Sequence, residues 1–137
     1  MSTPKRKQIL STGKRKTAKA RVIVAEGKGG VRINSIPLNL HEPLMAREMI
    51  METFLIAGDA ASSVDVDIEL QGGGPISQAK AARMGVALGL VKYTKSKKLR
   101  STFIEHDRTM LSGDPRRKEP KKFGGPSART RKQKSYR

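Results

Sequence analysis

The chain has 137 residues, with 29 Lys and Arg against 12 Asp and Glu, no cysteine and five aromatic side chains. The length fits one domain, or one domain with tails. The missing thiols exclude disulfides and thiolate metal sites and fit a reducing compartment. A net charge of +17 does not define a fold, but it predicts polyanionic partners. The opening MSTPKRKQILSTGKRK holds no apolar run of signal-peptide length, and no segment approaches the roughly 20 apolar residues of a membrane span.

The pattern along the chain predicts an α+β domain followed by a tail. QILSTGK (8–14) is a short strand. TAKARVIVAE (17–26) alternates, with Ala18, Ala20, Val22 and Val24 on one side and Lys19, Arg21 and Ile23 on the other. GKGG (27–30) is turn chemistry, and VRINSIPL (31–38) is expected as its hairpin partner, stopped by Pro37. At Pro43 the period changes. PLMAREMIMETFLIAG (43–58) is a helix, apolar at Leu44, Met45, Met49, Ile50, Phe54, Leu55 and Ile56, with Pro at its first turn and Gly58 at its end. VDVDIEL (64–70) alternates strictly and is a strand, broken by GGGP (72–75). ISQAKAARMGVALGLVKY (76–93) is a second helix, with Ile76, Ala79, Ala82, Val86 and Leu90 on its core stripe. KSKKLRSTFIEHD (95–107) is a short amphipathic helix. From Ser112 the periodicity stops, and the remainder is too polar to fold alone. The domain is expected over 1–111, with a short basic N-terminal arm included, and the extended tail over 112–137. Strands, helix, strand, helix predict a two-layer α/β sandwich, a small mixed sheet with helices on one face.

Charge is segregated. Residues 1–28 hold nine basic groups and one acid, 29–75 two and seven, 76–113 eight and two, and 114–137 ten and two. Basic ends around an acidic middle are the layout of a module with anchoring arms. One basic group comprises Lys14, Arg15, Lys16, Lys19 and Arg21, and a second Lys92, Lys95, Lys97, Lys98 and Arg100. The tail is the third, with Arg116, Arg117, Lys118, Lys121, Lys122, Arg129, Arg131 and Lys132. At GGGP, Gly73 and Gly74 let backbone approach a phosphate at a helix start, and Lys80 and Arg83, three residues apart, would extend that edge. The alternative is a strand-to-helix turn and nothing more. A membrane binder would need apolar anchors beside the charges, and the tail offers only Phe123 and Tyr136. RNA and DNA both remain open on this physics, with phosphate contact and shape as the expected mode. So does a free nucleic-acid chaperone.

An enzyme reading finds little. Glu105-His106-Asp107 contains ligand-type residues, but consecutive side chains diverge, so a surface histidine is the expectation. No catalytic residue, metal or cofactor is expected. Gly27-Lys28-Gly29-Gly30 begins like a dinucleotide fingerprint, but Arg32 stands where the third Gly is needed.

GKRKTAKARV (13–22), GGGPISQAKAARMGVA (72–87), DPRRKEPKKFGG (114–125) and the closing RTRKQKSYR (129–137) together resemble the universal S-nine family of small-subunit ribosomal proteins. Tyr136 before Arg137 is similar to archaeal and eukaryotic members, and the compact length to archaeal ones. The resemblance implies a ribosomal protein S5 domain 2-like fold with a left-handed βαβ crossover, against the right-handed default. It also implies ribosomal RNA and neighbouring proteins in the head of the small subunit as partners, on cytoplasmic ribosomes. The tail would run to the peptidyl-site tRNA, whose anticodon stem-loop would be touched by Lys134, Ser135, Tyr136 and Arg137.

Overall fold

The computed structural model describes residues 6–136. Five strands form one sheet: β1 (Gln8–Arg15), β2 (Ala18–Glu26), β3 (Val31–Ile33), β4 (Ile36–Pro37) and β5 (Val64–Gln71). Their spatial order is β1-β2-β5-β3-β4. Among the described strands only β3 and β5 run parallel, so the sheet is mixed. The helices are α1 (Leu44–Ala57), the single turn α2 (Asp59–Ser62), α3 (Pro75–Thr94), α4 (Lys97–His106) and the single turn α5 (Thr109–Ser112).

The alternation of β2 and β5 places Ala18, Ala20, Val22, Val24, Val64, Val66, Ile68 and Leu70 on one buried face. That face is covered by α3, against which α1 packs. α3 lies unusually close to β1. A Cβ on Gly13 would lie 1.8 Å from the carbonyl oxygen of Ala81, and one on Gly85 would lie 2.6 Å from a Val22 methyl. The buried Ser11 hydroxyl donates to the Gly85 carbonyl at 2.7 Å, satisfying a polar group inside the layer. Among the described residues, the sheet's other face carries no helix. There Lys14, Lys19, Arg21, Asp67 and Glu69 are exposed.

The expected hairpin of 17–26 with 31–38 does not form. β5 inserts between β2 and β3, pairing antiparallel with one and parallel with the other. The GKGG segment instead wraps the start of β5. Lys28 and Gly30 donate their backbone N–H to the Asp65 carboxylate at 2.9 and 2.8 Å, and Gly27 donates to the Ser63 carbonyl at 3.1 Å. A Cβ on Gly27 would meet the Asp65 carboxyl at 2.0 Å. Donation from Gly30, then Lys28, holds the Asp65 carboxyl below its usual range. β3 is also shorter than expected: Asn34 and Ser35, both at positive φ, turn the chain into β4. The Asn34 side chain fixes that turn by accepting from Leu70 N at 2.9 Å.

The two long helices follow the predicted spans to within a residue or two, but their buried faces differ. α1 buries Ala46, Ile50, Thr53 and Ala57, while Leu44, Met45 and Leu55 stay exposed. α3 buries Ala79, Ala81, Ala82, Gly85, Val86, Ala87, Gly89 and Leu90, and Ile76 is exposed. In both, close packing selects small side chains for the inner face and leaves some large ones outside. α4 is capped by Ser96, whose hydroxyl accepts from Leu99 N at 3.2 Å, and it inserts the fully buried Phe103.

Candidate nucleic-acid interface

The turn between β1 and β2 is the focus of positive charge. Lys16 takes positive φ there. Lys14 and Lys19 are direct cross-strand partners, both on the open face. Like charges placed opposite one another destabilise a sheet, and an outside anion bound between them would relieve that repulsion. In the next row Arg21 faces Glu69 on one side and Thr12 on the other.

The glycine loop is built against this turn. Gly72 and Gly73 take positive φ. A Cβ on Gly72 would lie 2.8 Å from the Thr17 carbonyl oxygen, and one on Gly73 3.0 Å from the Ala18 methyl. The glycines thus bring the start of α3 beside the basic hairpin. Gly74 is the N-cap, no side chain caps the helix, and Pro75 opens it. The N–H groups of that first turn therefore add a partial positive charge next to Lys14–Lys19. The turn reading and the phosphate reading of these glycines are compatible in this arrangement.

Behind the hairpin lies a cleft of ≈ 300 Å³ lined by Lys14, Arg15, Lys80, Arg83, Asp114 and Arg116, among others. Its cations divide into two kinds. Lys80 is exposed and Lys14 faces outward. Arg15 points to the opposite face from Lys14 and is buried. It pairs with Asp114 at 3.4 Å and donates to the Arg116 carbonyl at 3.4 Å. Arg83 is also turned inward, pairing with Glu52 at 3.2 Å and Asp107 at 3.1 Å, while His106 bonds Glu52. Those ion pairs join α1, α3 and α4. Arg83 thus does not form the outward edge with Lys80 that the sequence spacing predicts: its fork meets two carboxylates first. Burial opposes ionisation of Asp107, but donation from Thr109 N and Oγ1 and the Arg83 cation outweigh it and lower its pKa.

Asp114 roots the tail. It forms a bridge with Arg15 along the edge of β1. Its carboxylate accepts from Arg116 Nε at 3.0 Å, Nη2 at 2.7 Å and the backbone N at 3.0 Å. The Arg116 side chain, then its backbone N–H, holds the Asp114 carboxyl far below its usual range, with the Arg15 cation adding to the effect.

Beyond this root Arg117, Lys118, Lys121, Lys122, Arg131 and Lys132 are exposed. Arg129 reaches Glu119 at 2.9 Å yet remains largely in solvent. The tail has one feature that composition did not reveal. It doubles back, with Lys132 N donating to the Gly124 carbonyl at 3.1 Å and Thr130 N to the Ser127 hydroxyl at 3.2 Å. Gly125 permits the turn, since its Cβ would lie 1.7 Å from the Thr130 carbonyl oxygen. Lys134, Ser135 and Tyr136 are exposed with no regular structure, and Arg137 lies outside the described residues.

The second basic group sits at the α3–α4 junction, where Lys92, Lys95, Lys97, Lys98 and Arg100 are all exposed. Lys7, which sequence reasoning did not single out, reaches the same end. Its ammonium lies 4.7 Å from the Tyr93 ring centre and donates to the Tyr93 carbonyl at 3.3 Å. No helix among the described residues is long and apolar enough to cross a membrane.

Residues 13–137 match the family model described as Ribosomal protein S9/S16. The chain belongs to that family. Three archaeal relatives, each named small ribosomal subunit protein uS9, align over nearly the whole length. The one from Methanothrix thermoacetophila is 48% identical over 96% of this chain and 99% of its own. The one from Desulfurococcus amylolyticus is 48% identical over 96% and 94%. The one from Aeropyrum pernix is 47% identical over 94% and 96%. The matched span begins at Gly13, so it takes in the basic hairpin, the glycine loop, α3 and the whole tail. A member of this family is a ribosomal protein and not an enzyme.

Proposed function

We propose that this ribosomal protein, a structural constituent of the small ribosomal subunit, binds ribosomal RNA in the subunit head and touches peptidyl-site tRNA with the end of its tail. The observation that carries the reading is the exposed Lys14–Lys19 pair beside the uncapped start of α3, with Lys80 on the next turns. Such a surface favours phosphates, and no base-reading aromatic platform accompanies it. Gly73 and Gly74 serve by holding the helix start in place. Arg15 and Arg83 serve by holding the surface together. Arg116 both clasps Asp114 and presents charge outward, and the exposed tail cations neutralise RNA beyond it. The chain then divides into a domain over 1–111 and a working tail over 112–137.

The finer fold assignment, ribosomal protein S5 domain 2-like with a left-handed crossover, is part of the same reading. Its support is a βαβ unit in which parallel neighbours β3 and β5 are joined through β4, α1 and α2, and the left hand is carried over from the family resemblance. The site of action is the cytoplasmic ribosome, among other head proteins.

Two deletions test the division of labour. Removing Lys134 to Arg137 should leave the protein in the small subunit through a high-salt wash on a sucrose gradient. The same subunits should hold tRNA in the peptidyl site at least several-fold more weakly. Equal tRNA retention would sink the tip's role. Removing 114–137 should also impair assembly of the head. A full-length chain that washes off at moderate salt and coats any nucleic acid would instead be a free chaperone.

A further inference from the structure

The outer side of α1 is apolar and acidic, on a chain whose exposed surface is otherwise mostly cationic. Leu44 (59%), Met45 (66%) and Leu55 (77%) are exposed on it, and Leu40 (70%) precedes it. At 100° per residue, Leu44, Glu48 and Leu55 project within a narrow arc. Glu48 and Asp59 are exposed and have no ion-pair partner among the described residues. The helix's one cation, Arg47, is half-buried and donates to the Asn39 carbonyl at 2.7 Å, and it is outnumbered by the exposed carboxylates of Glu42, Glu48 and Asp59 in the same stretch. A groove of ≈ 640 Å³ between α1 and the β3 edge continues the surface, lined by Val31, Leu38, Phe54 and Leu55. Its two cations, Lys28 and Arg32, belong to the β2–β3 side.

RNA is a poor occupant. Glu48 and Asp59 repel phosphate, and a ridge of Leu and Met gives it nothing to bond. A second copy of this chain is poor too, because two bodies of net charge +17 repel. Large exposed apolar side chains at both ends of one helix, Leu44 and Met45 at its start and Leu55 in its last turn beside the apolar groove, nonetheless mark an interaction site. We propose that the outer face of α1 docks a basic segment of a neighbouring small-subunit protein, apolar side chains of that segment covering Leu44, Met45 and Leu55 while its cations meet Glu48 and Asp59. The basic hairpin joins β1 and β2, whereas the groove beside α1 is lined by Val31 and Arg32 of β3, toward the other edge of the strand order. One half of the domain would thus take RNA and the other a protein.

The inference rests on subunit membership, so sedimentation with the small subunit is measured first and reports on that membership alone. The chain has no cysteine, so Leu55→Cys introduces a single thiol. N-ethylmaleimide should modify it at least tenfold more slowly in purified small subunits than in the free protein. Benzophenone maleimide on the same thiol should cross-link to a Lys- and Arg-rich stretch of another protein. Adding Glu48→Lys and Asp59→Lys should lower the cross-link yield at least threefold. Equal thiol reactivity in the two states, or a cross-link to RNA or to a second copy of this chain, would overturn the proposal. A cross-link yield unmoved by the charge reversals would remove the basic character assigned to the partner.

Discussion

Lys14 and Lys19 face each other across two strands with nothing between them to absorb the repulsion. Replacing either by Ala should therefore make the free protein slightly more stable, by about 0.2–1 kcal/mol on the scale of cross-strand pairs, and make RNA binding weaker. Urea unfolding and RNA titration of the same variant check both halves. A purely structural lysine would lose stability and leave binding unchanged. Gly13 makes the opposite case. The nearest obstacle to a side chain there is the Ala81 backbone carbonyl, which has no rotamer by which to withdraw. Gly13→Ala should cost about 1–3 kcal/mol by overpacking, read as a lower urea midpoint. The sequence offered Lys14 as a phosphate anchor but was mute on the role of Gly13. Charge is visible in a residue's identity, whereas the close approach of a helix is a property of two segments far apart in the chain. Arg15 and Arg83 show the converse. Their identity suggested phosphate, but carboxylates from distant segments (Asp114, Glu52, Asp107) reach them first.

At the scale of elements, α4 is held to the core by Leu99 and, most deeply, by Phe103. Phe103 is fully buried while its neighbours Lys97, Lys98, Arg100 and Thr102 face solvent. Phe103→Ala should cost about 3–5 kcal/mol, and circular dichroism melting would show it. β5 was legible because it alternates without interruption, as were the spans of α1 and α3. The place of β3 was not. A glycine-rich link followed by an apolar run looks like a hairpin, and only the Asp65 carboxylate, 35 residues beyond Gly30, turns that link into a wrap around another strand. The inner face of α1 was likewise hidden, because a hydrophobicity pattern ranks Leu and Met above the Ala and Thr that close packing chose.

For the whole molecule, acid should act on the joints before the core. Asp65, Asp107 and Asp114 all have lowered pKa in the folded state. A depressed pKa contributes stability that is fully present above the ordinary carboxylate value of about 4 and is lost as pH falls through the folded one. Amide protection at the root of the tail and in the wrap around β5, corrected for the intrinsic pH dependence of exchange, should therefore fall below about pH 4. Protection that is flat down to about pH 2 would contradict the ionic root. Salt should act on partners instead. Deleting 114–137 removes ten basic side chains, and the slope of log affinity for RNA against log salt should become shallower by several units.

The doubled-back stretch of the tail stores length. At about 3.3 Å per residue, residues 114–137 would reach roughly 80 Å if straight. The eight steps from Gly124 to Lys132 make up about 26 Å of that, yet their ends are held together by one hydrogen bond. The tether to the tip thus runs about 20 Å short of its contour, with the surplus parked in a loop that Gly124, at positive φ, and Gly125 permit. Trimming one or two residues between 126 and 129 should be absorbed by that slack, and peptidyl-site tRNA retention should hardly change. Trimming the same number between 133 and 137 removes the proposed contact residues themselves, which slack upstream cannot replace, and retention should fall.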